Sequence, residues 1–194
     1  MGVKIDRLNE AVTQAELEKH PVEISNMSAS FELDGEFDLE RLAEDLPNCE
    51  YDPGDHRSLI YRSPNVGSFT VLLPPRGRVS VAGAKSKQEI EKGIEEFVTE
   101  LRSLGLNKEY SEIQIENVVA TGYVGHSINL NAAVITLGLE STEYEPEQFP
   151  GAIFRTLEGV VLIFSSGKVV ITSVRTYERV ISSFRNIKEK LSQL

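Results

Sequence analysis

The chain has 194 residues, 40% of them hydrophobic and 26% charged, with a formal net charge of −10 at pH 7. That balance belongs to a globular protein able to bury an ordinary core, and it excludes an undirected basic surface while leaving room for a local basic face. A single cysteine, Cys49, excludes an intramolecular disulfide and a cysteine metal cage.

Residues 1–20 read as an N-terminal extension, with Asn9 as the cap of a short helix through Ala11, Ala15 and Leu17. Their charged character argues against a secretory leader, and no stretch reaches the roughly 20 apolar residues of a membrane helix, so a cytoplasmic protein is expected. The sequon Asn26-Met27-Ser28 is then a chance match.

From residue 21 the chain repeats itself. The first copy, 21–105, opens with the alternating strand Val22 to Ser28, and the second, 106–194, with Ile113 to Val119. A Leu-bearing helical stretch follows in each, capped by Asp38 and by Asn129. Glu50-Tyr51-Asp52-Pro53 matches Glu143-Tyr144-Glu145-Pro146, and Leu59-Ile60-Tyr61-Arg62 matches Ala152-Ile153-Phe154-Arg155. Gly77 to Val81 matches Gly167 to Ile171, and each copy closes on a long amphipathic helix. Ile90, Ile94, Phe97, Val98 and Leu101 share one helical face, as do Val180, Ile181, Phe184, Ile187 and Leu191. The fold class is therefore α+β: two tandem pseudo-symmetric half-domains whose antiparallel strands bury one face against helices and turn the other outward.

The outward face carries the functional signal. Val119, Leu162, Val170 and Thr172 fall at alternate positions and pave it with small neutral side chains, while Arg155, Lys168 and Arg175 rim it. An apolar floor with a basic rim suits a polyanion pressed flat against the sheet, and equally a peptide groove. Phe149 and Phe164 stand where turns are expected to expose them. Ser165-Ser166-Gly167-Lys168 lacks the spacing of a phosphate-binding loop. His20, His56 and His126 have no metal-ligand spacing, and no nucleophile context is recognisable, so neither a metal, a cofactor nor enzyme activity is expected.

The copies, with Asn117 to Ala120, Tyr144 to Gly151, Ile163 to Lys168 and Gly83 to Ser86, resemble the TATA-box-binding protein family, in its archaeal branch. The resemblance covers residues 21–194 and implies a curved, saddle-shaped antiparallel sheet, helices on its convex side, gripping the minor groove of promoter DNA. It implies that Asn26 and Asn117 hydrogen-bond the groove, that Phe149 and Phe164 wedge base steps, and that Arg155, Lys168 and Arg175 face phosphates. The first copy departs from the pattern. His56 takes the first wedge position, and the second falls on Leu73 or, counted back from Gly77, on Pro74, with Leu73 preferred. Val71, Ser28, Ser80 and Ala82 make its floor, and Arg62, Arg78 and Lys85 its rim. Glu145 and Glu147 match positions that dock transcription factor B, and through it RNA polymerase, although a solvated acidic turn reads the same way. A monomer or weak dimer is expected. The rival reading is a divergent paralogue that acts as a regulator or protein-binding module with weakened TATA specificity.

Overall fold

The structure, a computed structural model, describes residues 12–192 and 194. It is α+β and divides into two compact units, one of residues 26–116 and one of residues 12–25 with 117–194.

The first unit contains β1 (Val22–Glu36, from Asn26 onward), α2 (Leu39–Asp45), β2 (Cys49–Glu50), β3 (Leu59–Arg62), β4 (Thr70–Leu73), β5 (Arg76–Ala84) and α3 (Lys87–Ser103). Its strands pair antiparallel in the order β2-β3-β4-β5-β1. In the second unit β6 (Gln114–Tyr123, from Asn117 onward), α4 (Leu130–Leu137), β7 (Thr142–Glu143), β8 (Gly151–Arg155), β9 (Val160–Phe164), β10 (Lys168–Val174) and α5 (Tyr177–Leu191) repeat the plan. The order there is β6-β10-β9-β8-β7, again antiparallel.

The helices begin where their caps dictate. Asp38 accepts from the Arg41 amide at 3.1 Å and Asn129 from the Ala132 amide at 3.2 Å, as the sequence anticipates. At α3, Ser86 accepts from the Glu89 amide while the Glu89 carboxylate accepts from the Lys85 amide at 2.7 Å, a reciprocal pairing close to a capping box. The long helices bury the stripe their period predicts: Ile90, Ile94 and Phe97 in the first unit, Val180, Phe184 and Ile187 in the second. Opposing them are Leu59, Tyr61, Val71, Leu73, Val79 and Val81 in the first unit, and Val161, Ile163, Val169 and Ile171 in the second.

The N-terminal segment differs from expectation. A short helix, α1 (Gln14–Leu17), is capped by Thr13, while Asn9 and Ala11 lie outside the described residues. This helix packs against α5, and Leu17 is 2% exposed. Among the described residues no helix is long and apolar enough to cross a membrane, and no cluster of side chains has the makings of a metal site.

Candidate nucleic-acid interface

In each unit the helix-free face is built from alternate residues of the strands. In the second unit one row runs Thr121, Val170, Leu162, Ile153 and Glu143 across five strands. In the first unit the row Ser30, Ser80, Leu72, Ile60 and Glu50 repeats it. Val119, Leu162, Val170 and Thr172 are all half-buried on this face, where the sequence puts them, and Ser28, Ser80 and Ala82 lie on its counterpart. A second cross-strand line places Lys168 opposite Tyr123, and Arg78 opposite Glu32.

Two positions assigned to this face belong elsewhere. Val71 and Leu73 are completely buried on the helix side, and Leu72 between them faces outward, 42% exposed. The cause is a loop. Segment 63–69 between β3 and β4 is three residues longer than segment 156–159 between β8 and β9, whereas the paired residues Leu72 and Ser80 are as far apart in the chain as Leu162 and Val170. Leu73 therefore answers the buried Ile163, and Pro74, not Leu73, stands where Phe164 does. His56 holds the place of Phe149: each amide donates to the carbonyl four residues back, Asp52 or Glu145.

Phe149 and Phe164 meet edge to face, ring centroids 5.8 Å apart at 63°. They are half-buried rather than freely exposed, because each shields the other. Gly151 makes room: a Cβ there would stand 2.9 Å from the Phe149 ring and 3.0 Å from the Ile163 carbonyl oxygen.

The two asparagines are held by one device. β5 and β10 each carry an irregularity, at Gly83 and Ser173, with φ of +93° and +61°. There the Gly83 amide donates to Asn26 Oδ1 at 2.9 Å, and the Ser173 amide to Asn117 Oδ1 at 2.9 Å. A backbone N–H only donates, so the side-chain oxygen is fixed as the acceptor and the NH2 is the group each asparagine has to offer. In Asn117 that group reaches Thr172 Oγ1 at a long 3.3 Å. Gly83 cannot be replaced freely, since a Cβ there would lie 2.0 Å from the Ser68 carbonyl oxygen.

Three of the rim cations, Arg62, Arg78 and Arg155, are engaged with carboxylates. Arg62 pairs with Glu50 at 2.6 Å, and Arg155 Nε with Glu143 at 3.0 Å. Arg78 reaches Glu32 at 3.4 Å, Glu116 at 3.3 Å and the Gln114 side-chain oxygen at 3.0 Å. Hydrogen bonding and the charge of Arg155 hold the Glu143 carboxyl below the usual carboxylate range. Lys85, Lys168 and Arg175 are exposed. Glu145 and Glu147 are exposed on the turn before β8, Glu145 accepting from the Gln148 amide.

The sequence reading missed Leu72, Ile60, Ile153, Thr121 and Tyr123, which complete these rows. Strict alternation counted from Arg62 and Arg155 was the available signal for the two isoleucines. Chemically, the face offers fixed amide donors, a neutral floor and a cationic rim, which suits an anionic duplex with acceptors recessed in a groove.

Comparison with known proteins agrees with the duplication. A family model described as "Transcription factor TFIID (or TATA-binding protein, TBP)" matches residues 21–104 and again 112–194. TATA-box-binding protein D of Halobacterium salinarum is 40% identical over 176 residues, covering 89% of this chain and 94% of the relative. The TATA-box-binding protein of Methanocaldococcus jannaschii is 39% identical over the same share of both chains. A solved structure named Methanococcus jannaschii TBP superposes with a TM-score of 0.78 at 37% identity, covering 90% of this chain and all of that one. The family is one of transcription factors rather than enzymes. With both halves matched and relatives similar over nine-tenths of its length, the chain belongs to the TATA-binding protein family.

Proposed function

We propose that the chain is a general transcription initiation factor of archaeal type, which binds an A·T-rich promoter box through the minor groove, bends it, and presents Glu145 and Glu147 to transcription factor B, which in turn brings RNA polymerase. The observation that carries this reading is the pair of asparagines, Asn26 and Asn117, each locked by a backbone N–H so that its NH2 is the group on offer. In the minor groove A·T and T·A present only acceptors, and G·C adds a donor that clashes with an NH2. Phe149 and Phe164 supply the apolar wedge at one end of the box, its unstacking cost offset by the added contact of a bent duplex.

A second reading, a paralogue with weakened box specificity, is favoured by the first unit. Its wedge positions hold His56 and Pro74, and its floor is Ser28, Ser80 and Ala82. The deciding experiment titrates an A·T-rich duplex at stated salt, alone and with transcription factor B. The leading reading expects binding that transcription factor B tightens, and that Glu145→Lys with Glu147→Lys leaves intact alone but no longer tightened. Absence of binding, or tightening that survives both substitutions, contradicts it.

A further inference from the structure

Behind the sheets the two units differ. In the first, segment 63–69 folds inward and buries Val66 and Phe69, the latter 1% exposed. The Phe69 ring lies over Gly93 of α3 so closely that a Cβ there would stand 2.4 Å from it. Glu96, one turn on, accepts hydrogen bonds from Tyr61 at 3.0 Å, Ser63 at 2.9 Å and Asn65 at 3.2 Å. The space is full and its polar groups are paired.

Counting from the caps Ser86 and Thr176, Ser183 answers Gly93 and Asn186 answers Glu96. Counting back from β4 and β9, Gly159 answers Phe69. The plug is gone. A cavity of about 270 Å³ remains, lined by Phe154, Leu157, Val161, Ser183 and Asn186, and by Glu158, whose carboxylate accepts from Ser182 Oγ at 2.9 Å. Ser183 is 6% exposed, and its Oγ has no hydrogen-bond partner among the described residues. A buried hydroxyl left unpaired is costly, and native structures seldom keep one without a reason. Beside it Leu157 stands fully in solvent, an apolar side chain with nothing to cover it.

Charge distinguishes the helix that carries Ser183 and Asn186. On α5, Arg179, Arg185, Lys188 and Lys190 outnumber Glu178 and Glu189, a cationic surplus on a chain of net charge −10. On α3 the balance is reversed, with five glutamates against Lys87, Lys92 and Arg102.

We propose that this cavity docks a tyrosine-type side chain carried on an acidic segment of a partner protein. The ring takes the volume that Phe69 fills in the first unit. Its hydroxyl meets Ser183 Oγ, the unpaired group, and the flanking carboxylates lie along the α5 cations. The cavity is on the helix side of its sheet, so the proposal stands apart from anything bound on the outward face.

The test is fluorescence anisotropy of labelled peptides Glu-Asp-Tyr-Glu-Asp, Glu-Asp-Phe-Glu-Asp and Glu-Asp-Ala-Glu-Asp titrated with the full chain, with phenol as a competitor. The tyrosine peptide should bind best, the phenylalanine peptide roughly three- to tenfold more weakly for one lost hydrogen bond. The alanine peptide should be weaker by about thirtyfold or more for the lost ring burial. Ser183→Leu, which fills the cavity, should abolish binding, with folding checked by circular dichroism. Ser183→Ala should erase the preference for tyrosine over phenylalanine, and it decides the matter if Ser183→Leu does not fold. Equal binding of the three peptides, or full binding by a folded Ser183→Leu, overturns the proposal. Phenol binding as tightly as the tyrosine peptide overturns the partner segment and assigns the cavity to a small phenolic ligand.

Discussion

Arg155 and Glu143 form an ion pair across neighbouring strands, Nε to Oε1 at 3.0 Å, and Arg62 and Glu50 repeat it at 2.6 Å in the other unit. The repetition means that rim cations expected to meet phosphates are already held by carboxylates in both halves. A phosphate has to displace a carboxylate before it gains the guanidinium, which lowers the net gain from each such arginine. Exposed pairs of this kind are individually weak, so the exchange is feasible.

Replacing the competitor is therefore expected to help. Glu143→Gln should tighten binding to an A·T-rich duplex by roughly two- to fivefold at low salt, the scale of one exposed pair. The direct check is a binding isotherm of Glu143→Gln beside the parent at two salt concentrations. Weaker binding by the variant would show that the carboxylate positions Arg155 rather than competing for it.

The pH dependence of that pair has a definite sign. Because the Glu143 carboxyl is held below its ordinary value by its hydrogen bond to Arg155 and then by its charge, its contribution is present above the unfolded carboxylate value. It is lost only as pH falls through the lowered one. Between roughly pH 5.5 and 8 the pair stays ionised, so the affinity gain from Glu143→Gln should not change across that range. Comparing parent and variant isotherms at both ends checks this.

Neighbouring leucines of β4 should separate stability from binding. Leu73 is wholly buried, and Leu73→Ala is expected to cost about 2–5 kcal/mol of folding free energy in urea titration. Leu72, 42% exposed on the outward face, should give Leu72→Ala a nearly unchanged midpoint and weaker duplex binding. The reverse pattern would place the strand in the other register.

The wedges should be unequal between the units. Phe164→Ala should lower duplex affinity and the bend measured by fluorescence transfer between end labels, whereas Pro74→Ala should change either little. Equal losses would show that the first unit kinks DNA as strongly as the second.

The asparagine clamp makes two further expectations. Asn117→Asp keeps the acceptor for the Ser173 amide but loses the donor, so A·T selectivity should fall roughly ten- to a hundredfold in competition with a G·C box. Ser173 carries a positive φ that glycine adopts freely, so Ser173→Gly should stabilise the fold by about 0.5–1 kcal/mol in thermal melts.

Much of the architecture was legible in the sequence because the chain states it twice. The buried stripes of α3 and α5, the caps Asp38 and Asn129, and the floor residues of the second unit all follow from period and repeat. The first unit was misread at Val71, taken as floor, and at Leu73, taken as wedge, because the extra residues lie in segment 63–69 rather than in the turn after β4. A strand register moved by one residue exchanges its two faces. Loop length sets that register, and only the pairing of Ile60 with Leu72 reveals it. The clamp on Asn26 and Asn117 was beyond sequence reasoning, because it depends on backbone amides at two positive-φ positions. The cavity at Ser183 was equally hidden, since it exists only by contrast with Phe69 in the other unit.

The central claim is that the outward face reads the minor groove through its fixed amide donors. An inosine·cytosine box keeps the minor-groove acceptors of A·T while carrying the major-groove edge of G·C, because inosine lacks the N2 amino group. Competition among A·T, I·C and G·C boxes of one length, at one salt concentration, tests the claim directly. The account predicts that I·C binds like A·T, with G·C weaker by about tenfold or more. Binding in which I·C follows G·C, or in which all three are equal, would contradict it.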